Sequence, residues 1–294
     1  MPTSPKSSAS TQDFPAREQG GAREFSFSPA DFERVRKLIY QHAGISLSPV
    51  KQDMVYSRLA RRLRATGKQT FVEYLDALEK NGGDEWERFV NSLTTNLTSF
   101  FREPHHFPIF ADHLRKLGTK RPIRIWCSAA STGEEPYSIA ITVAETFGAN
   151  ASHVSIFASD LDTNVLETAR KGVYPIDRVE KLSPERLRRF FLRGTGNQDG
   201  YVAVRPELKT MIEFQRLNLL DASYAVKGPL DVIFCRNVMI YFDKPTQYKI
   251  LSRFAPMLQP DGLMFAGHSE SFLHASDLFS SLGKTVYALA KARA

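Results

Sequence analysis

Residues 124–141 read RIWCSAASTGEEPYSIAI, an apolar run that ends in the small residues Ser128 to Gly133 and passes into helical periodicity. Small residues let a ligand approach the backbone, and the following helix start offers free N–H groups and positive potential. The dinucleotide fingerprint G-x-G-x-x-G is absent, which argues against a nicotinamide enzyme. Glu134 and Glu135 sit where a pyrophosphate would be repelled and a cation welcomed, for example the sulfonium or amino group of S-adenosylmethionine. Plain acidity at a helix N-terminus explains the pair as well.

Three further strand ends carry matching chemistry. FASDLD places Asp160 where an acidic side chain can accept both hydroxyls of a ribose, although Asp160 or Asp162 could equally cap the helix that follows. RLNLLD sets Asn218 and Leu219 to recognise and pack on an adenine, and DVIFC runs directly into RNVMIYF, bringing Arg236, Asn237 and Tyr241 to the same crevice. Arg236 can pair with a carboxylate in a forked geometry and Tyr241 can orient it, unless Tyr241 merely packs. In NLTSFFREPHHF the polar Asn96, Thr98 and Arg102 stand among aromatics, as suits a lid over a ligand. His105 and His106 are neighbours and therefore point apart on a helix, so no metal is expected. Cys127 and Cys235 are expected to be free thiols.

These segments need a scaffold that brings strand ends together. Strand-like runs at Ile123 to Cys127, Val154 to Ala158, Met211 to Phe214, Val232 to Cys235, Leu263 to Ala266 and Val286 to Leu289 alternate with helical stretches. That alternation predicts an α/β, doubly wound parallel sheet binding its ligand at the carboxyl ends of the strands. The expected boundaries are a disordered tail over 1–24, a helical domain over 25–95 and a sheet domain over 96–294. An antiparallel β-subdomain is inserted at about 172–210, where LRGTGNQDGYVAV breaks the rhythm. In the helical domain Ser28 caps a first helix, Ser48-Pro49 starts a second, and Thr70 with Glu73 forms a capping box.

Bulk properties exclude more than they assign. No run approaches the roughly 18 apolar residues of a membrane span, and the N-terminus lacks a secretory pattern, so a cytoplasmic protein without membrane insertion is expected. The net charge of +7 suggests an acidic partner. In KQDMVYSRLARRLRATG, Lys51, Arg58 and Arg62 share one edge of a helix beside Val55, Leu59 and Leu63; a solvated face and a dock for an acidic helix or phosphates are both open.

Taken together, NLTSFFREPHHF, SAASTGEEPYSIAI, FASDLD, NLLD, FCRNVMIYFD and GHSES occur in the order seen in the chemotaxis receptor methyltransferases of the CheR family, which the sequence resembles over roughly residues 28–290. The resemblance implies a Rossmann-like methyltransferase domain, a receptor-facing helical domain, and S-adenosylmethionine as cofactor with S-adenosylhomocysteine as product. It further implies Asn96, Thr98, Arg102, Glu134, Asp160, Asn218, Leu219, Arg236 and Asn237 around the cofactor, and Tyr241, Arg102 and Arg236 as the catalytic set. The implied activity is methyl esterification of receptor glutamates by an enzyme recruited to membrane-bound arrays. The expected partner surface joins Lys51, Arg58, Arg61 and Arg62 on the helix to Arg193, Gly194 and Gly196 in the β-subdomain, where members that tether to a receptor C-terminal peptide carry a similar glycine-bearing loop. A nucleic-acid methyltransferase and a non-catalytic receptor-binding scaffold remain the alternatives, the first weakened by the lack of an Asn-Pro-Pro-Tyr segment after the fourth strand.

Overall fold

The computed structural model describes residues 23–291, and the disordered tail expected over 1–24 lies outside that range except for Arg23 and Glu24, which pair with Asp53 and Arg64. The first helices among the described residues are α1 (Pro29–Ala43), α2 (Gln52–Thr66), α3 (Phe71–Asn81) and α4 (Asp84–Leu93). Their apolar stripes meet in one cluster, with Val35, Ile39, Val55, Leu59, Leu63, Leu75 and Phe89 removed from water. Ser28 and Asp31 form a reciprocal capping box. Only half of the second box forms: Thr70 accepts from the Glu73 N–H, but the Glu73 carboxylate turns to the N–H of Gln69. The segment after Ser48 makes a 3-10 turn over Pro49–Lys51 before α2 begins.

Gly44 ends α1 at φ 66°, and a Cβ there would lie 2.9 Å from Leu220 Cδ2. Backbone conformation and close approach of the second domain therefore both demand glycine.

Helix α5 (His106–Leu117) leads into the sheet domain, followed by β1 (Ile123–Cys127), α6 (Glu134–Phe147), β2 (Val154–Asp160) and α7 (Thr163–Lys171). The insertion holds β3 (Val173–Pro175), α8 (Pro184–Phe190), β4 (Phe191–Arg193) and β5 (Tyr201–Val204), and α9 (Pro206–Lys209) closes it. The main sheet resumes with β6 (Ile212–Arg216), β7 (Leu230–Cys235), α10 (Lys244–Phe254), β8 (Leu258–Ala266), β9 (Phe279–Gly283) and β10 (Val286–Leu289).

The seven-stranded order is β6-β2-β1-β7-β8-β10-β9, and β3-β5-β4 form a separate antiparallel sheet, as the inserted glycine-rich segment implied. Side chains alternate across the main sheet: Ile123, Ile125, Cys127 and Phe234 join the cluster beneath α5 and α6, whereas Trp126, Ile233 and Cys235 join the one beneath α10. The sheet is parallel from β6 to β8 and antiparallel beyond. That departs from the all-parallel expectation because β9 and β10 are joined directly through Gly283, Lys284 and Thr285, all at positive φ, and a tight hairpin cannot return a parallel strand. Since β2 follows β1 on one side and β7 lies on the other, the strand order reverses at β1. The crevice belongs at the carboxyl ends of these three strands.

Candidate active site

At the end of β1 the chain has six residues, Ser128 to Gly133, in which to turn into α6. The turn is forced: Ser131 sits at φ 48°, a conformation non-glycine residues avoid. Asp160, at the end of β2, holds it, its Oδ2 accepting from the Ser131 N–H at 2.8 Å and its Oδ1 from the Asp162 N–H at 3.0 Å. Burial pushes the Asp160 carboxyl up to about 6, against the pull of those backbone donors, while one edge of the side chain still opens on the crevice.

The turn after β7 follows the same plan. Asn237 has φ 58°, and the buried Glu270 carboxylate accepts from the N–H groups of Asn237 (2.9 Å), Met239 (2.8 Å) and Gly267 (2.5 Å). Desolvation raises the Glu270 pKa, with those N–H groups opposing it. A Cβ on Gly267 would stand 2.3 Å from Asn237 Nδ2, so only glycine admits this packing.

Arg236 does not fork onto one carboxylate; it bridges two of the protein's own acids. Its Nη1 donates to Glu135 Oε2 at 2.6 Å, and its Nη2 donates to the Arg102 carbonyl and lies 3.2 Å from Glu103 Oε2. Burial raises the Glu135 pKa, opposed by Arg236. Burial also works against ionisation of Glu103, but donors from His268, Arg236 and Asn237 outweigh it and hold the carboxyl down at about 2.

These elements enclose a crevice whose empty space, counting its open mouth, is about 1000 Å³. Asn96, Thr98, Arg102, Asp160, Asn218, Leu219, Arg236, Asn237 and Tyr241 all line it. Glu134 does not: it is buried behind the wall, bonded to Thr132 and paired with Arg178, and Glu135 lines the crevice instead. The linker residues Asn96 and Arg102 are tied to Asp162 and to the Leu97 carbonyl. Asn218 bridges the domains, donating to the His42 carbonyl at 2.9 Å. The helical domain supplies part of the wall through Ile45, Leu47 and Met54. Sequence reasoning missed Glu103, Glu135 and Glu270 as organisers; a glutamate three residues after the glycine of GHSES was the available sign of a capped turn.

At the mouth, the Tyr241 hydroxyl donates to the Thr95 carbonyl at 3.3 Å and Lys51 Nζ sits 5.7 Å from its ring centroid. Desolvation raises its pKa. The rest of the basic edge is differently employed: Arg58 donates to the Thr94 carbonyl at 2.5 Å, and Arg62 forks onto Glu85 at 2.9 and 2.6 Å. Arg61 is exposed, as are Arg193 and Gly196 beside the outer edge of β4, while Gly194 is partly buried. Among the described residues no helix is long and apolar enough to cross a membrane. Cys127 and Cys235 are buried free thiols.

The residues present fit a nucleoside with a cationic tail. Asp160 offers acceptors for ribose hydroxyls, Leu161, Leu217, Leu219 and Phe242 offer an apolar slot, Ser128, Ala129 and Ser131 admit close approach, and Glu135 supplies negative charge.

Comparison with known proteins agrees. Residues 30–94 match the model of the CheR methyltransferase all-alpha domain, and residues 96–288 that of the CheR methyltransferase SAM binding domain. The chain is 55% identical to a chemotaxis protein methyltransferase of Escherichia coli, over 90% of this chain and 93% of that one. It is likewise 55% identical to one of Salmonella typhimurium (92% and 94%) and 54% identical to chemotaxis protein methyltransferase 2 of Pseudomonas aeruginosa (91% and 95%).

Proposed function

Because this chain belongs to the CheR methyltransferase family, we propose that it uses S-adenosylmethionine to esterify glutamate side chains of chemotaxis receptors. The observation that carries the reading is a crevice closed by both domains, with a carboxylate at the end of β2, cations and a tyrosine at its mouth, and no histidine among its lining residues. When bound, S-adenosylmethionine supplies an electrophilic methyl group on a sulfonium. Asp160, Asn218 and Leu219 hold the nucleoside, and Asn96, Thr98 and Arg102 close the linker over it. Lys51 and Arg102 draw the acceptor carboxylate to the mouth, where the Tyr241 hydroxyl orients it.

A glutamate with a pKa near 4.3 is already ionised at neutral pH, so no general base is needed. Positioning and exclusion of water therefore carry the rate, and neutralising charge favours a dry crevice. Arg236 acts one step back, by locking Arg102 and Glu103 of the linker against α6.

Receptor recruitment is read onto two surfaces. Arg61 and Lys51 mark the helical face, and the free edge of β4 with Arg193, Gly194 and Gly196 suits an added peptide strand from a receptor terminus. Incubation with methyl-labelled S-adenosylmethionine and receptor-containing membranes tests the whole reading. Base-labile label on receptor protein is the expected result; label on nucleic acid, or base-stable label, refutes it.

A further inference from the structure

We propose that Glu103, His105 and His106 form a binding site for a divalent transition-metal ion of the zinc class, outside the cofactor crevice. Glu103 sits at φ 54°, which folds its carboxylate back over the start of α5, where the two histidines stand. One ligand atom from each of the three residues falls within 4.8 Å of the others. His106 Nδ1 lies 3.7 Å from Glu103 Oε2, close to the ~3.4 Å that separates two ligands bound at ~2.1 Å in a tetrahedral site. Adjacent histidines inside a helix diverge, but His105 is the residue preceding the helix, and the two ring centroids are 4.3 Å apart.

The second observation is an unmet need. The His106 side chain is fully buried, yet its Nδ1 has no hydrogen-bond partner, and Glu103 Oε2 facing it has only the ion pair with Arg236 at 3.2 Å. His106 Nε2 lies 2.9 Å from the Lys284 carbonyl, which can only accept, so that nitrogen carries the proton and Nδ1 presents a bare lone pair to a carboxylate oxygen. The guanidinium serves the Glu103 oxygen but leaves the buried Nδ1 lone pair facing a carboxylate, which costs free energy unless a cation stands between them. A metal ion satisfies both atoms, and an imidazole whose other N–H donates to a backbone carbonyl is the usual arrangement for a ligating histidine.

Charge sets the character of the site. Glu103 and Glu135 flank a single guanidinium, Arg236, which lies 3.2 Å from the ligating oxygen and so weakens the ion's hold. The exposed His105 gives solvent access, making the ion exchangeable rather than structural. Imidazole and carboxylate together favour Zn2+, Co2+ or Ni2+ over Mg2+ or Ca2+.

The test is titration of the chelator-treated full-length protein with Co2+, followed by its visible absorption, with Zn2+ as competitor. One saturable site with bands typical of low coordination, displaced by Zn2+, is expected. His105→Ala changes an exposed side chain and is expected to weaken binding about tenfold or more, whereas His274→Ala leaves it unchanged. His106→Gln, checked for folding by circular dichroism, abolishes the bands. No saturation below about 1 mM Co2+, or equal affinity in the His105→Ala protein, overturns the proposal.

Discussion

The Asp160 carboxylate makes cofactor affinity depend on pH in a way that can be worked from the structure. With its pKa near 6, the group is about 90% ionised at pH 7 and about 10% at pH 5. Ribose hydroxyls need an acceptor, so affinity follows the ionised fraction, and the dissociation constant rises about tenfold, or ~1.4 kcal/mol, between pH 7 and pH 5. Asp160→Asn removes the charge and one of the two acceptor oxygens that Ser131 and Asp162 now share. Loss of a hydrogen bond to a charged group costs about 1.5–3 kcal/mol, so the variant binds roughly 10- to 100-fold more weakly, with no slope between pH 5 and 7. Stability responds in the opposite sense. A folded-state pKa above the ordinary 3.8 means that folding favours the protonated acid, so the ligand-free protein loses stability as pH rises from about 4 to about 6, and the variant lacks that component. Calorimetric titration with S-adenosylhomocysteine, paired with thermal unfolding across the same buffers, measures both. Wild-type affinity that stays flat to pH 5, or an asparagine variant that keeps the slope, refutes the assignment.

Four other substitutions separate catalytic, structural and docking roles. Tyr241→Phe removes a hydroxyl bonded, among the described residues, only to the Thr95 carbonyl, so turnover should fall about tenfold or more while affinity for S-adenosylhomocysteine is unchanged in calorimetry. Glu270→Gln leaves one oxygen for three backbone N–H groups and should cost about 2–4 kcal/mol, read as a lower midpoint in urea unfolding. Arg62→Ala breaks a partly buried forked pair with Glu85 and should destabilise by about 1–3 kcal/mol without changing receptor affinity, whereas Arg61→Ala should weaken receptor binding in a pull-down and leave the unfolding midpoint in place.

The strand ends were legible because each is a local event. An apolar run of five or six residues stops, small or polar residues follow, and a helix begins; that pattern alone points Asp160, Asn218, Arg236 and Asn237 at one crevice, and all four line it. What escaped were facts decided by partners distant in sequence. Glu134 and Glu135 are neighbours of the same type, and only the approach of Arg178 from the β-subdomain and Arg236 from β7 determines that the first is spent behind the wall and the second faces the ligand. Periodicity likewise put Arg58 and Arg62 on one helical edge, but it could not reveal that α4 lies beside them, offering bare carbonyls at its end to Arg58 and Glu85 in its first turn to Arg62. The hairpin of β9 and β10 was hidden because Lys284 and Thr285 adopt positive φ without the usual asparagine or glycine.

Acidic side chains beside a cofactor crevice invite an electrostatic reading, yet here their first duty is to hold backbone. Of the six non-glycine residues at positive φ among the described residues, Ser131 and Asn237 are pinned by the carboxylates of Asp160 and Glu270, and Glu103 carries its own carboxylate onto Asn237 and His268. Each such residue costs of order 1 kcal/mol or more in conformational strain, and buried carboxylates bonded to backbone N–H groups offset it. The arrangement fits a reaction that asks for no strong base. When chemistry depends on aligning two partners within a fraction of an ångström, rigid turns serve better than titrating groups, and acids whose lone pairs are already committed to the backbone cannot compete with the acceptor for the methyl group. Asp160 departs from this pattern only in part: one edge of its side chain opens on the crevice, which is why cofactor affinity should feel its ionisation and not that of Glu270.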